Sequence, residues 1–85
     1  MSKHKYLLGE RMEKLRIKKG LKLTDLAARA TEYFGTQVNF SILMQWECGS
    51  ALPSIVEAWW LADVLGCSID YLAGRSDKEV FQRMI

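Results

Sequence analysis

The sequence has few of the side chains that metal and redox sites require. His4 is its only histidine, and its two cysteines, Cys48 and Cys67, lie in unrelated contexts without CxxC spacing. Zinc sites and redox pairs need cysteine or histidine ligands grouped at short, regular spacings. We therefore expect both thiols to be reduced and structural, and the protein to hold no metal and no cofactor.

The patterns that mark an active site are missing as well. The sequence has no second histidine, no nucleophile with a base at a recognisable spacing and no glycine-rich loop that would cradle a phosphate. A catalytic centre needs such groups gathered in one pocket. The sequence therefore predicts that the protein is not an enzyme.

Long apolar runs are also missing. A membrane-spanning helix needs about 20 consecutive apolar residues, and the chain has no such stretch. Near the N-terminus, charges resume at Glu10 before a continuous apolar region develops, unlike a secretory signal. The sequence thus predicts a cytoplasmic protein without a membrane partner.

What the chain does have is apolar residues at helical spacing. A content of 49% hydrophobic and 26% charged residues in an 85-residue chain is typical of one globular domain. No strand-like alternation, internal repeat or low-complexity segment is present. We expect an all-α fold of five short helices, in which residues 1–77 form the domain and residues 78–85 form a tail that can add a sixth helix.

The stretch from Leu23 to Glu47 predicts two helices joined by a break. In the first, apolar residues recur at helical spacing up to Gly35, which is a typical helix stop. The second helix begins at Asn39, a favourable N-cap, and is about two turns long. Its buried side would be formed by Leu43 and Trp46. A short helix held across another helix is the geometry that enters a DNA major groove.

Further helices are predicted on both sides of this stretch. Their ranges are about 6–19, 55–65 and 69–72, and a terminal helix would follow residue 76. Serine caps mark three of the starts, at Ser54, Ser68 and Ser76, and two of them are capping boxes. The residues expected to face inward are Leu8, Met12 and Leu15 in the first helix, and Ile55, Ala58, Trp59, Ala62 and Leu65 in the helix after Ser54.

Charge is distributed unevenly along the chain. Residues 1–22 hold eight basic residues against two acidic ones, a net charge of +6, whereas residues 23–74 carry a net charge of −5. Attraction to phosphate would therefore come mostly from the first helix and its exit. A solvated basic helix face without a partner is the alternative interpretation of the same pattern.

Several short motifs follow one another in a characteristic order. They are Gly-Glu-Arg-Met-Glu-Lys-Leu-Arg at 9–16, Lys-Gly-Leu at 19–21, Asp-Leu-Ala at 25–27, Trp-Glu-Cys-Gly at 46–49, Pro-Ser at 53–54 and the run at 61–77. This ordered combination, covering about residues 8–77, resembles the Cro/phage-repressor, or XRE-type, helix-turn-helix family. The resemblance implies a five-helix, lambda-repressor-like domain that binds operator DNA, commonly as a homodimer, and represses transcription.

The resemblance also implies where DNA would be contacted. The base-contacting positions would be Phe40, Ser41, Met44 and Gln45, and the phosphate-contacting positions would be Lys22, Leu23, Asn39 and Ser50. Gln45 and Ser41 can read a hydrogen-bond pattern, whereas Phe40 and Met44 can only touch thymine methyl groups. The chain departs from the family pattern at Leu23, where many relatives have Gln, at Ser50, where many have a basic residue, and at 31–37, where its link is longer.

An internal ion pair is implied by the same resemblance. Arg16 lies near the edge of the apolar stripe of the first helix rather than squarely in solvent. The family has an ion pair between the first helix and the end of the recognition helix, at the positions of Arg16 and Glu47. We expect this pair to set the angle of the recognition helix.

Apolar residues beyond the expected core predict an interaction surface. Val56, Trp60 and Val64 would lie opposite the inward face of their helix, at about 100° per residue. Phe81 and Met84 belong to a second apolar stripe, in the tail. The tail would cover the first stripe within one chain, or the stripes would join two chains. A two-fold dimer would present its recognition helices to successive major grooves about 34 Å apart.

Two classes of function stay open at this point. The first is a sequence-specific DNA-binding regulator, a small repressor of phage or mobile-element type, acting as a homodimer on a palindromic operator in double-stranded DNA. The second is a protein-binding module that keeps the helix-turn-helix fold and turns its apolar helix faces to a protein partner. The salt dependence of DNA binding would distinguish the two.

Overall fold

The protein is built from five α-helices in a computed structural model that describes residues 3–79, with side chains from residue 7 onward. The helices are α1 (Lys3–Lys18), α2 (Leu23–Phe34), α3 (Phe40–Cys48), α4 (Ile55–Leu65) and α5 (Ile69–Leu72). No strand occurs among these residues, and the predicted all-α fold of five helices is confirmed. None of the described helices is long and apolar enough to cross a membrane.

Local signals in the sequence account for most helix ends. At the start of α4, the Ser54 hydroxyl accepts from the Glu57 amide at 3.2 Å, and the Glu57 carboxylate accepts from the Ser54 amide at 2.7 Å. This is the predicted capping box. Gly35 ends α2 in the left-handed conformation, with φ of 70°, which a glycine adopts without steric penalty. α1 begins three residues earlier than predicted, at Lys3.

The core forms where α1 crosses the other helices. α1 packs against α3, α4 and α5, while α2 packs mainly on α3. The largest fully buried side chains of the core come from all five helices and are Met12, Leu26, Leu43, Leu61, Leu65 and Leu72. The inward positions predicted for the first three helices lie in or against this core.

α4 turns a different side to the core from the one predicted. Trp60 is 5% exposed and Leu61 is fully buried, whereas Ile55 is 71% and Trp59 61% exposed. The prediction that Ile55 and Trp59 face inward is therefore wrong. The helix is apolar at nearly every position, and its two charged residues lie on different sides, so the pattern does not define an inward direction.

The surface predicted for self-association on α4 is not exposed, because Trp60 at its centre is buried. The Trp60 ring packs within one chain against Tyr33 and Phe34 of α2, with ring centroids 6.3 and 5.7 Å apart. Val64 is partly buried against the same core, and only Val56 of the three predicted residues is largely exposed. Phe81 and Met84, the other part of the predicted surface, lie outside the described residues.

Ser76 does not begin a helix. Its hydroxyl accepts a hydrogen bond from the Lys78 amide at 3.1 Å, only two residues further along the chain. The Glu79 carboxylate, which a capping box would require, lies instead 3.7 Å from Lys14 and 3.9 Å from Lys18 of α1. The capping box predicted at Ser76 is therefore wrong, because two lysines attract its acidic member. The sixth helix predicted after it falls on residues 80–85, outside the described part.

Candidate nucleic-acid interface

The connection between α2 and α3 is held by a side-chain hydrogen bond. The Thr31 hydroxyl, in the last turn of α2, accepts from the Val38 amide at 2.9 Å. After Gly35 the chain therefore returns toward α2 before α3 begins. The unusual length predicted for residues 31–37 is divided between the last turn of α2 and this connection.

The start of α3 lies where predicted but is not capped as predicted. Asn39 has the extended backbone of an N-cap residue, with φ of −84° and ψ of 147°, yet its side chain makes no capping hydrogen bond. The first amide groups of α3 consequently have no side-chain acceptor at Asn39. The exposed Asn39 side chain lies in a shallow groove between α2 and α3, beside Phe40 and Gln37.

The four residues predicted to contact bases share the outward face of α3. Phe40 is 48% and Met44 47% exposed, Gln45 is exposed, and Ser41 is partly buried. At about 100° per residue, the four fall within an arc of about 140°. Leu43 and Trp46 are buried on the other side of the helix. The face combines two apolar with two polar residues and carries no basic residue.

The predicted phosphate contacts are not gathered into one anion site. Lys22 is exposed at the N-cap of α2, but its amide donates to the Asp25 carboxylate at 2.9 Å, so an acid already occupies this helix start. Leu23 packs against the core. The Ser50 amide donates to the Gln45 carbonyl at 3.0 Å and thereby closes the end of α3. Of the four predicted positions, Lys22, Asn39 and Ser50 have exposed polar side chains suited to a phosphate oxygen, although the Ser50 hydroxyl also lies 3.4 Å from the Gln45 carbonyl.

The basic side chains of α1 from residue 7 onward lie near acidic groups of the same chain. Lys14 and Lys18 lie near Glu79, and Arg11 donates to Asp77 at 3.2 Å and to the Ser76 carbonyl at 2.7 Å. The Arg11 guanidinium also lies over the Tyr71 ring, 4.0 Å from its centroid. That phosphate is attracted mostly by α1 and its exit stays a prediction, and at the exit the exposed Lys19 and Lys22 side chains have no acidic partner among residues 7–79. Exposed cations without an ion-pair partner among residues 7–79 include Lys19, Lys22 and Arg29.

The predicted pair of Arg16 and Glu47 is present. The Arg16 Nε donates to Glu47 Oε2 at 2.6 Å and its Nη2 to Oε1 at 3.2 Å, while Nη1 donates to the Leu21 carbonyl at 2.7 Å. The two side chains are 13% and 8% exposed. The hydrogen bond to Glu47 is the main cause that raises the pKa of Arg16. One guanidinium thus joins α1, the end of α3 and the loop that leads into α2.

Gly9 has a structural role that was not predicted from the sequence. A Cβ atom at this position would lie 2.8 Å from the Trp46 carbonyl oxygen and closer still to that of Glu47. α1 therefore crosses α3 with its backbone against the last turn of α3. The sequence signal was a glycine inside a helical pattern, which is otherwise unfavourable in a helix interior.

The Cys67 thiol is not activated as a nucleophile. Burial raises the pKa of the Cys67 thiol to about 11, which suppresses its nucleophilic thiolate form. No group of three or more potential metal ligands occurs among the described residues. The candidate site is thus the outward face of α3 with the adjoining side of α2.

Comparisons with models of protein families, with curated proteins and with solved structures found no significant match. The helix arrangement and the chemistry of the α3 face are therefore the basis for a functional proposal.

Proposed function

We propose that the protein is a sequence-specific DNA-binding regulator, a repressor that inserts α3 into the major groove of double-stranded DNA. The observation that carries the proposal is the division of α3 into a buried side and an outward face with Phe40, Ser41, Met44 and Gln45. An α-helix with its side chains is about 10 to 12 Å in diameter and therefore fits a major groove about 12 Å wide. The ordered motifs that resemble the XRE-type family also support it.

Direct base reading in this proposal rests mainly on Gln45. Its side-chain amide can bond adenine in a bidentate manner, while Phe40 and Met44 contact thymine methyl groups. Lys22 and Asn39 would bind phosphate on either side of the groove. The protein would act as a cytoplasmic homodimer on a palindromic operator, because two-fold symmetry in protein and DNA gives each α3 an equivalent half-site.

A second function has its own supporting observation. The outward face of α3 lacks a cation, and its apolar side chains Phe40 and Met44 are 48% and 47% exposed. Such a helix face is suited to an apolar groove of a protein partner. In this alternative the protein is a binding module with the same fold, and DNA binding is weak and unselective.

Selection from a random duplex pool at two salt concentrations tests the proposal. We expect enrichment of one palindromic motif, with affinity that falls as salt rises. Gln45→Ala should relax the preference at one base position, at a cost of roughly 1 to 3 kcal/mol in binding. Lys22→Ala should weaken all sequences alike and reduce the salt slope by about one.

The matched control is Arg75→Ala, which removes an exposed cation from the segment after α5 and should leave the selected motif unchanged. An unenriched pool, or a motif and affinity unaffected by Gln45→Ala, would contradict this assignment of α3. Unenriched weak binding would favour the protein-binding alternative.

A further inference from the structure

The groove between α2 and α3 holds two carboxamide side chains that have no partner in the described part of the protein. Gln37 and Asn39 both line this groove, together with Phe40 at the start of the outward face of α3. Both carboxamides are exposed, and neither makes a hydrogen bond among the described residues. A carboxamide has two donor hydrogens and one acceptor oxygen. The two side chains are therefore available to a ligand with hydrogen-bonding groups.

The backbone beside Gln37 is fixed to α2 by two hydrogen bonds. The Thr31 hydroxyl accepts from the Val38 amide at 2.9 Å and lies 3.4 Å from the Val38 carbonyl, to which it donates. Val38 also packs against the core. Gln37 therefore has a defined backbone position relative to α2 and α3, although its side chain is exposed to solvent. A binding group on a preorganised backbone loses less conformational entropy when it meets its ligand.

The outward face of α3 has few groups that can read a base through hydrogen bonds. Gln45 and Ser41 can do so, whereas Phe40 and Met44 offer only apolar contact. Gln45 lies five residues after Phe40, which is about 7.5 Å along the helix axis, or about two base pairs. At the Phe40 end, the partly buried Ser41 hydroxyl is then the only hydrogen-bonding group among the four. A base reader at this end must come largely from a neighbouring element.

We infer that Gln37 is a second base-reading residue, which contacts adenine in the major groove beyond the Phe40 end of α3. This inference rests on the proposed DNA binding and extends its recognition surface into the connection before α3. A glutamine side chain bonds the N6 and N7 atoms of adenine in a bidentate manner. Gln37 precedes the first residue of α3 and Gln45 lies in its second half, so the two glutamines read opposite ends of one half-site.

The chemistry of the groove favours a base over a phosphate at Gln37. None of the residues that line the groove is charged. Thr24 and Thr31 line it about 10 Å apart along α2, and the cation Lys22 belongs to the Thr24 end, away from the backbone that Thr31 holds. Asn39, at the start of α3, has a helix dipole that favours an anion, whereas Gln37 lies outside the helix. A neutral base edge therefore suits Gln37 better.

Selection from a random duplex pool tests this inference by comparing Gln37 variants with the wild type. Gln37→Ala should lower the preference for one base about 5- to 150-fold, at a position more than about two base pairs from the one that Gln45→Ala relaxes. Gln37→Glu should change that preference to cytosine, because a carboxylate accepts from the cytosine amino group. Thr36→Ala, at the exposed neighbouring position, is the matched control and should leave the motif unchanged.

Thr31 provides a second measurement, because its hydroxyl positions the backbone next to Gln37. Thr31→Val removes both hydrogen bonds to Val38 and should weaken the preference assigned to Gln37 while the preference at the Gln45 position stays. Thr31→Ser retains the hydroxyl and should preserve both preferences. A purely structural role of Thr31 would instead weaken the two preferences alike.

The possible outcomes separate this inference from the proposed function. A motif that Gln45→Ala relaxes but Gln37→Ala leaves unchanged would overturn the inference, and the proposed function would stand. An affinity that Gln37→Ala lowers equally for all sequences would also overturn it, because Gln37 would then contact phosphate. A wild-type pool without enrichment would contradict the proposed function and the inference together.

Discussion

The ion pair of Arg16 and Glu47 orients α3 relative to α1 more than it contributes net electrostatic stability. Both side chains are largely buried, so the loss of their hydration offsets much of the Coulomb energy between them. The two parallel hydrogen bonds, however, define a single orientation of the guanidinium relative to the carboxylate. The last turn of α3 is thereby tied to α1 at one angle.

Removing one charge of this pair should be more damaging than removing both. Glu47→Gln leaves a buried guanidinium without its counter-ion and should lower the free energy of unfolding by about 3 to 5 kcal/mol. The double variant Arg16→Met with Glu47→Leu should lose less than either single variant. Urea unfolding followed by circular dichroism measures these values. Arg29→Met, at an exposed arginine of α2, is the control and should change stability little.

A loss below about 1 kcal/mol for Glu47→Gln would show that water reaches the pair and that it behaves as a surface ion pair. In that case α3 would be positioned by packing alone.

At the scale of the element, α4 shows where the apolar pattern stops being informative. Helices with a polar face, such as α2, could be oriented correctly from spacing alone. In α4 the sequence Ile-Val-Glu-Ala-Trp-Trp-Leu-Ala-Asp-Val-Leu allows several inward faces. Which tryptophan enters the core is decided by Tyr33 and Phe34, which lie more than twenty residues earlier in the chain. Such distant partners are invisible to a periodicity argument.

The two neighbouring tryptophans of α4 should respond very differently to truncation. Trp60→Ala removes a buried ring and should lower the free energy of unfolding by about 3 to 5 kcal/mol. Trp59→Ala removes a ring that the described residues leave mostly exposed, so its loss should be much smaller. Thermal unfolding of both variants under one condition gives the comparison. Equal losses would mean that the orientation of α4 is wrong.

The ends of the helices were the most predictable features of the fold. Gly35, Ser54 and Ser68 act within one turn of their own positions, and the corresponding boundaries lie where they were predicted. The capping box at Ser76 failed because Glu79 finds Lys14 and Lys18, more than sixty residues away. Local rules therefore held wherever no distant group competed for the same side chain. The residues of the α3 face followed from the resemblance, whereas the engagement of the α1 cations required the structure.

At the scale of the whole molecule, the basic side chains of α1 that the structure describes lie beside acidic side chains of the same chain. Asp77 and Glu79 partly offset the charges of Arg11, Lys14 and Lys18, and Glu47 offsets the charge of Arg16. The field outside the protein is consequently weaker than the sequence charge of residues 1–22 suggests. Lys19, Lys22 and Arg29 are the exposed cations closest in sequence to α2 and α3 that keep their charge available.

This distribution predicts a shallow salt dependence of DNA binding. Each phosphate contact contributes about −0.9 to the slope of log affinity against log salt, so one protomer should show a slope of about −1 to −3. Fluorescence anisotropy of a labelled duplex over a range of salt concentrations measures it. The variant Lys14→Gln with Lys18→Gln should leave the slope unchanged. A steeper slope that this variant reduces would show that Lys14 and Lys18 leave Glu79 and bind phosphate.

The contact at Gly9 constrains the buried side of α3 but not its outward side, so the two sides should tolerate substitutions differently. On its buried side, the backbone of α3 at Trp46 and Glu47 lies against Gly9 of α1. Substitutions outside α1 and α3 do not alter this contact directly. The side chains of the outward residues, among them Met44 and Gln45, are exposed and take no part in that contact. Substitutions at these positions can therefore accumulate without loss of folding, so that one scaffold can be given new binding specificities. Position 9, by contrast, tolerates only glycine, because any Cβ atom there would push α3 away from α1. The position of the outward face in the molecule therefore depends on Gly9.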